Sequence, residues 1–441
     1  MVQKVDEKIF EGGIYIVKKL REKGHEAFFA GGCVRDSILS RPIKDIDIAT
    51  SATPNEVKKI FKKTIDVGAK FGVIVVVVDG INYEITTFRA EGKYSDGRHP
   101  DYVYFTCPLQ DANRRDFTIN GLFYDPIKDE VIDYVGGLKD IESRTIRTIG
   151  NPVKRFEEDK LRLLRAIRFS TILNFKIEEY TFKTIKKYAH QILTVSKERI
   201  RDELIKTFTE ANGHTGLSLL RESELLQFIL PHVSAMVGIP QPEKFHPEGD
   251  VFTHTLLMFK MAKYPLSTTL AFGILLHDIA KPITFRLRDR IRFNRHAFLG
   301  EKLSVEILKD LKFSNREIHL ISKLVRNHLK FINVKKMRLS RLKRFLAMEN
   351  FEEHLELHRL DCLASHGNLE NYEFCKRKLE EFTTEELKPP RLITGKDLIA
   401  LNFKPSPLFG KILKEIENLQ LEEKIKTKDE AISYVIEKYG K

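Results

Sequence analysis

Phe28-Phe29-Ala30-Gly31-Gly32-Cys33-Val34-Arg35-Asp36, followed by Lys44-Asp45-Ile46-Asp47-Ile48, is the stretch on which the reading of the whole chain depends. A Gly-Gly pair closing an apolar run lets the backbone approach a large anion, and Arg35 can grip that anion as a planar multi-donor cation. If residues 45–48 form a strand, the alternation puts both aspartates on one face and both isoleucines on the other. Neighbouring carboxylates repel unless cations sit between them, a need that Mg²⁺ beside substrate phosphates meets. The outline is that of a metal-dependent phosphoryl-transfer site.

Working outward, Val5 to Lys23 has the apolar spacing of an amphipathic helix ended by Gly24, and Thr53-Pro54-Asn55-Glu56 is a capped helix start. Val73 to Val78 reads as a buried strand and Ile81 to Phe88 as its hairpin partner across Asp79-Gly80. Glu84 is the single acid on that partner and is expected beside the Asp45/Asp47 strand as a third carboxylate. Arg89 to Tyr104 is polar and reads as a loop beside the site. Arg114-Arg115-Asp116 with Asn120 is expected to open a helix that holds phosphate oxygens. Asp133-Tyr134-Val135-Gly136-Gly137 ends a strand in a tight turn, with Asp140 tying down the next helix. Arg155 to Phe169 is expected to be helical, its arginines at three-residue steps winding round the axis. Asp159 and Arg162 then reach one group while Arg165 and Arg168 reach elsewhere. Helices are also expected from Glu179 to Glu210 and from Gly213 to about Phe228.

A chain of 441 residues exceeds one core, and its net charge of +13 with a pI near 9.3 favours a polyanionic partner. No apolar run approaches the roughly 20 residues that span a bilayer, and the charged first residues lack a signal-peptide core. No membrane partner and a cytoplasmic location are therefore expected. Cys33, Cys107, Cys362 and Cys375 have no paired spacing and predict neither disulfides nor a thiolate zinc site.

Five blocks in order resemble the class II tRNA nucleotidyltransferases, the family of bacterial CCA-adding enzymes and poly(A) polymerases. They are Gly31-Gly32 through Asp45-x-Asp47, Arg114-Arg115-Asp116 with Asn120, Asp133 to Gly137, Glu158-Asp159-x-x-Arg162, and Ser196 to Glu203. The resemblance implies an α+β chain: a small mixed-sheet nucleotidyltransferase head with flanking helices over 1–150, then an all-α neck over 151–240. It implies two-metal nucleotidyl transfer, with two Mg²⁺ ions on Asp45 and Asp47 and Glu84 as the third catalytic carboxylate. Nucleotide binding would fall to Gly31, Gly32, Arg35, Arg115 and Asp116, with Arg165 and Arg168 completing the pocket. Asp159 and Arg162 would act as a protein template that accepts cytosine and adenine and refuses uracil. ATP, CTP and the tRNA 3′ end are the implied partners, and addition of C, C and A the implied activity. Poly(A), A-only and CC-only enzymes share the head. Val67 to Val73, with its one lysine, is less basic than the polymerase pattern, and Arg89-x-Glu91 with Asp96-Gly97-Arg98-His99-Pro100 supplies the loop that CC-only enzymes lack.

A second set of residues, His254, His277-Asp278 and Asp361 amid helical sequence, resembles the HD phosphohydrolase superfamily. The resemblance implies an HD-type helical domain over 241–380, with these four as ligands to a divalent metal of unknown identity and a possible hydrolase activity. A helical tail over 381–441 follows. A rival of another class is an HD phosphohydrolase whose head only binds RNA.

Overall fold

The computed structural model describes residues 6–68, 72–92, 102–244 and 246–440. They fall into two compact units, residues 1–231 and 232–441.

The first unit begins with α1 (Glu7–Glu22), β1 (Ala27–Ala30), α2 (Gly32–Ile38), β2 (Ile48–Thr50), α3 (Pro54–Ile60), β3 (Thr64–Gly68), β4 (Val73–Val78), β5 (Ile81–Thr87), β6 (Arg89–Glu91) and β7 (Val103–Phe105). It continues with α4 (Pro108–Arg114), β8 (Leu122–Asp125), β9 (Glu130–Asp133), α5 (Gly137–Glu142), β10 (Thr145–Ile146), α6 (Pro152–Glu158), α7 (Arg162–Leu173) and β11 (Lys176–Ile177). Helices α8 (Glu179–Tyr188), α9 (Lys197–Thr209), α10 (Gly213–Glu222) and α11 (Leu225–Ile229) follow.

Seven strands form one mixed sheet in the order β3-β4-β5-β2-β1-β8-β9, in which β2 and β5 run parallel and the other pairs antiparallel. The β4-β5 hairpin turns on Asp79 and Gly80, both at positive φ, as tight two-residue hairpins require. Phe28, Ala30, Ala49, Phe88, Ala112 and Phe123 cluster as a buried core at the sheet. Helix α1 packs on the sheet so closely that a Cβ on Gly12 would lie 2.1 Å from the Tyr83 hydroxyl, so glycine is required there. The capping box at Thr53 forms as expected, its Oγ1 and amide both donating to Glu56.

Several expectations need correction. Strand β2 starts at Ile48, so Asp45 and Asp47 lie in the segment leading into it; alternation still holds, with Ile46 and Ile48 buried and both aspartates exposed. Part of the Arg89–Tyr104 loop is paired, β6 with β7, while residues 93–101 lie outside the described residues. The segment 67–73, compared above with the polymerase pattern, is likewise described only at Val67, Gly68, Gly72 and Val73. Arg114-Arg115-Asp116 ends a helix instead of opening one. Pro108 starts α4, and Arg115 turns extended (φ −66°, ψ 167°). Residues 155–169 are two helices, because Asp159 leaves the helical region (φ −145°, ψ 108°) and accepts from the Leu161 amide, the local competition that makes aspartate a breaker and a cap.

After the short α12 (Pro231–Ser234), the second unit comprises α13 (Val251–Met261), α14 (Thr268–Leu276), α15 (Lys281–Thr284), the hairpin β12 (Phe285–Leu287) with β13 (Ile291–Phe293), α16 (His296–Asp310) and α17 (Asn315–Asn327). A 3-10 stretch (His328–Lys336), α18 (Leu339–Leu346), α19 (Phe351–Ala364), α20 (Glu370–Glu381), α21 (Thr384–Leu387), α22 (Gly395–Ala400), α23 (Pro407–Leu421) and α24 (Lys428–Tyr439) complete it. The all-helical expectation thus misses one small hairpin. Among the described residues no helix is long and apolar enough to cross a membrane.

Phe331 anchors one of this unit's cores: it is fully buried, stacks on His358 at 4.3 Å between ring centroids, and meets Phe345 edge-on at 4.9 Å. Phe331→Ala is expected to cost ~3–5 kcal/mol, read as a lower denaturation midpoint of this unit.

Candidate functional site

In the first unit a cleft of about 820 Å³ gathers nearly all the residues expected of the head. Gly31, Gly32 and Arg35 line it from the start of α2, Asp47 from the segment leading into β2, Glu84 from β5, and Arg115, Asp116 and Asn120 from the segment after α4. Asp159, Arg162, Arg165, Phe169 and Arg199 line it from α6, α7 and α9. Gly31 sits at φ 75°, and a Cβ there would lie 2.8 Å from an Arg115 guanidinium nitrogen. Only glycine permits both the turn and that approach.

The parallel pairing of Ile48 with Ile85 puts Asp47 and Glu84 in adjacent rows, as the sheet argument anticipated. Asp47 reaches solvent along the open cleft. Even so, desolvation by the walls and the charges of Glu84 and Asp45 push its carboxyl up to about 6, against the opposing Arg115. Asp45 acts on Asp47 through its charge and is not among the lining residues. Among the described residues, sets of three or more ligand atoms within 4.8 Å of one another occur only in the second unit, so these carboxylates form a looser group.

The cationic wall is built from paired arginines. Arg35 donates to Asn120 at 2.6 Å and to both oxygens of Asp36. Asp111, fully buried, accepts from Arg114 at 2.8 Å and from two nitrogens of Arg115 at 3.1 and 3.2 Å. Sequence reasoning missed Asp111, although its spacing of three and four residues to the arginines was a readable helical signal. Burial would raise the Asp116 carboxyl. Arg165, with a hydrogen bond from Asn120 and the charge of Arg162, instead holds it well below the ordinary carboxylate range. Asp116 therefore organises the wall from behind as a permanent anion.

Phe169, another residue that the sequence did not single out, carries the guanidinium groups of Arg35, Arg165 and Arg168 at 5.2, 5.3 and 4.1 Å from its ring centroid. Arg168 donates to Glu203 at 2.6 Å and is not among the lining residues, so it braces the wall. Arg162 is buried, ion-paired to Glu158 and bonded to the carbonyls of Arg155 and Arg114. Asp159 Oδ2 accepts from Arg199 at 2.7 Å while Oδ1 caps Leu161. The partner of Asp159 here is thus Arg199, with Arg162 beside it in the same cleft.

The motif Asp133 to Gly137 is structural. One Asp133 oxygen accepts from the amides of Val135, Gly136 and Gly137 and the other from Leu138, which fixes the start of α5. Asp140 accepts from Thr118 at 2.7 Å and from Arg147, tying α5 to the 3-10 turn Thr118–Asn120.

In the second unit, His254, His277, Asp278 and Asp361 do converge. His254 Nε2 lies 3.1 Å from Asp361, and His277 Nε2 lies 3.1 Å from Asp278. His296 and His328 join them, with Nε2 atoms 3.5 and 3.8 Å from Asp278 and 3.3 Å from each other. The sequence reading did not count either among the ligands. His277, His296 and His328 each lie with Nδ1 against the carbonyl three residues earlier, at 2.9, 2.7 and 2.7 Å. That bond requires the proton on Nδ1 and turns three bare Nε2 atoms toward Asp278, the arrangement that orients histidines for a cation. His277 Nε2 and Asp278 Oδ1 are buried without a hydrogen-bond partner, which also fits a cation. Glu248 bridges His246 and His254, and Lys281 pairs with Asp278 at 2.6 Å.

The first unit's fold and cleft define a nucleotidyltransferase with a head of the poly(A) polymerase kind. Residues 27–147 match the family model of the poly A polymerase head domain, and 174–236 that of the probable RNA- and SrmB-binding site of polymerase A. Residues 297–436 match a putative tRNA nucleotidyltransferase domain 2. The CCA-adding enzyme of Enterococcus faecalis is 34% identical over 426 residues, 96% of this chain and 94% of that protein. The chain belongs to the CCA-adding enzyme family. The Ligilactobacillus salivarius CCA-adding enzyme is 46% identical over 220 residues, which span about half of each protein (50% and 54%). The crystal structure of the Bacillus stearothermophilus CCA-adding enzyme in complex with CTP matches with a TM-score of 0.76 at 27% identity over 98% of both chains. The structure of the Thermotoga maritima CCA-adding enzyme complexed with tRNA shares the fold at a TM-score of 0.61 and 20% identity over 99% of this chain and 97% of that one.

Proposed function

We propose that this chain adds CMP, CMP and AMP in turn to the 3′ end of tRNA, from CTP and ATP, with release of pyrophosphate, in the cytoplasm. The observation that carries the reading is one cleft holding Asp47, Glu84, the arginine wall, and Asp159 with Arg162 and Arg199. Catalytic carboxylates and base-reading groups share a space wide enough for one nucleoside triphosphate.

The RNA 3′-oxygen attacks the α-phosphorus, the bond to the bridging oxygen breaks, and pyrophosphate leaves. The all-oxygen donor set of Asp45, Asp47 and Glu84 and the raised Asp47 carboxyl suit Mg²⁺. When bound, two such ions would supply the chemistry, one acidifying the attacking hydroxyl and the other neutralising the leaving pyrophosphate. The triphosphate lies against Gly31, Gly32, Arg35, Arg115 and Arg165, whose carboxylate partners are already in place, so little reorganises on binding. Asp116 and Arg168 keep that wall in position. Asp159 accepts from the exocyclic amine of cytosine or adenine, and Arg162 donates to the adjacent ring nitrogen. Uracil offers a carbonyl where the carboxylate needs a donor.

A proton on Asp47 competes with the metal. Below about pH 6 the group is protonated in the metal-free fold, and above it the site is open. The apparent Mg²⁺ dissociation constant, measured by titration of incorporation rate, is expected to be flat above pH 6 and to rise about tenfold per pH unit below it.

Incubation with ATP alone tests the choice among family activities. One AMP on tRNA lacking only its last nucleotide and none on unrelated RNA supports tRNA-specific A addition, which CMP incorporation from CTP into tRNA lacking all three nucleotides then separates from A-only addition, whereas long A tails on any RNA would select poly(A) polymerase. A second reading, a metal-dependent phosphohydrolase in the second unit, is favoured by the bare Nε2 atoms around Asp278. His254, His277, Asp278 and Asp361 would be ligands there, joined by His296 and His328. Metal-dependent release of phosphate from nucleotides, absent in His277→Ala/Asp278→Ala, would support it; equal release by the variant would refute it.

A further inference from the structure

Unlike His277, His296 and His328, whose Nδ1 atoms lie against main-chain carbonyls, His254 has a carboxylate at that position. Its Nδ1 lies 2.7 Å from Glu248 Oε1, and its Nε2 faces Asp361 Oδ1 at 3.1 Å. The ring is fully buried, so both contacts form away from water. A proton held on Nδ1 by Glu248 leaves Nε2 as the nitrogen that can meet a cation beside Asp361.

Local sequence places Glu248 for this. Asp250 caps α13 by accepting from the Thr253 amide at 2.7 Å, and Gly249 just before it sits at φ 114°, a conformation that favours glycine. The turn brings Glu248 back onto a residue six positions later. The same Oε1 accepts from His246 Nδ1 at 2.9 Å, while Oε2 is buried without a hydrogen-bond partner among the described residues. A glutamate side chain only 5% exposed, with one oxygen left unpaired, is costly to fold around. A link that merely tied residues 246–250 to α13 would need an acceptor but no charge, and glutamine would serve. A carboxylate does more: it draws harder on the Nδ1 proton than a neutral acceptor, which fixes the ring and makes Nε2 a better donor to a cation.

We infer that Glu248 is a positioning residue of the second unit's metal site, acting through His254 so that Nε2 and Asp361 face one cation together. The inference rests on the metal-dependent reading of that unit given above. Co²⁺ serves as the probe, a first-row divalent ion that mixed nitrogen and oxygen sites bind and whose visible absorption reports its donors. On the full chain, uptake at this site is the part of the Co²⁺ titration that His277→Ala/Asp278→Ala abolishes. Glu248→Gln keeps the shape and an acceptor but loses the charge. Its Co²⁺ dissociation constant at this site is expected to rise about 10- to 100-fold, the worth of an outer partner of a metal-bound histidine. The absorption of the bound ion should shift as Nε2 becomes a weaker donor, while the metal-free melt matches the wild type. Glu248→Asp, which keeps the charge but draws the oxygen back by one methylene, is expected to weaken Co²⁺ in the same direction and serves if the glutamine variant melts early. Wild-type affinity and an unchanged spectrum in a folded variant overturn the inference and leave Glu248 a structural link to α13. A wild-type titration identical with that of His277→Ala/Asp278→Ala overturns the metal reading itself.

Discussion

Asp47→Asn is expected to lower the rate of nucleotide incorporation by at least a factor on the order of 10³, the scale on which loss of one preorganised electrostatic group acts. CTP affinity should stay within a few-fold, because the arginine wall and the base-reading groups are untouched. The substitution keeps the shape and removes a charge that Glu84 and Asp45 oppose, so the variant should melt no lower than the wild type at neutral pH. The sign follows from the raised carboxyl: above about pH 6 the folded protein holds a charge that its surroundings disfavour, and Asn relieves that penalty. A variant that is inactive and also melts much earlier would mean that Asp47 is structural. Incorporation assays and thermal melts on the same preparation separate the two outcomes.

Asp159→Ala is expected to erode base choice more than turnover. The ratio of kcat/KM for CTP over UTP should fall by about 10- to 100-fold, the worth of a good bidentate contact to a base edge at ~1–3 kcal/mol. The mechanism is specific to this carboxylate. Its Oδ2 accepts a hydrogen bond from Arg199 at 2.7 Å and, with two lone pairs, can still accept from a base amine. Alanine removes the acceptor that penalises the uracil carbonyl and also frees Arg199, so UTP should gain in absolute terms. Equal losses for CTP, ATP and UTP would assign Asp159 to helix termination alone, since its Oδ1 caps Leu161.

Local signals were strong enough to be read from sequence where they dictate one geometry. The Val73–Val78 run, the Asp79-Gly80 turn and the Thr53 capping box each favour a single conformation, and the alternation at 45–48 fixed which face Asp47 takes. The adjacency of the Glu84 strand to the Asp45/Asp47 segment was anticipated from the single acid on an apolar strand, but its parallel direction was not. Long-range ion pairs were the illegible part. Arg165 and Arg168 read as winding round one helix away from Asp159 and Arg162, but Asp116 and Glu203 draw them into the wall, and Glu203 lies 35 residues from Arg168. Such pairing depends on how helices cross, which single-chain periodicity does not encode. The break at Asp159 is a case of the reverse kind. Its cap was readable, since aspartate two residues before an apolar helical run favours a start, yet the surrounding helical spacing masked it. In the second unit the His-Asp pair stood out by adjacency, whereas His296 and His328 gain meaning only when folding turns their Nε2 atoms to Asp278.

The most direct test of the central claim is to give the wild-type protein a tRNA lacking its last three nucleotides, with CTP, ATP and UTP all present, and to sequence the products. The account predicts C, then C, then A, followed by arrest, with U absent. Products that continue past the third nucleotide, stop after the second, or carry U at the first position would contradict it.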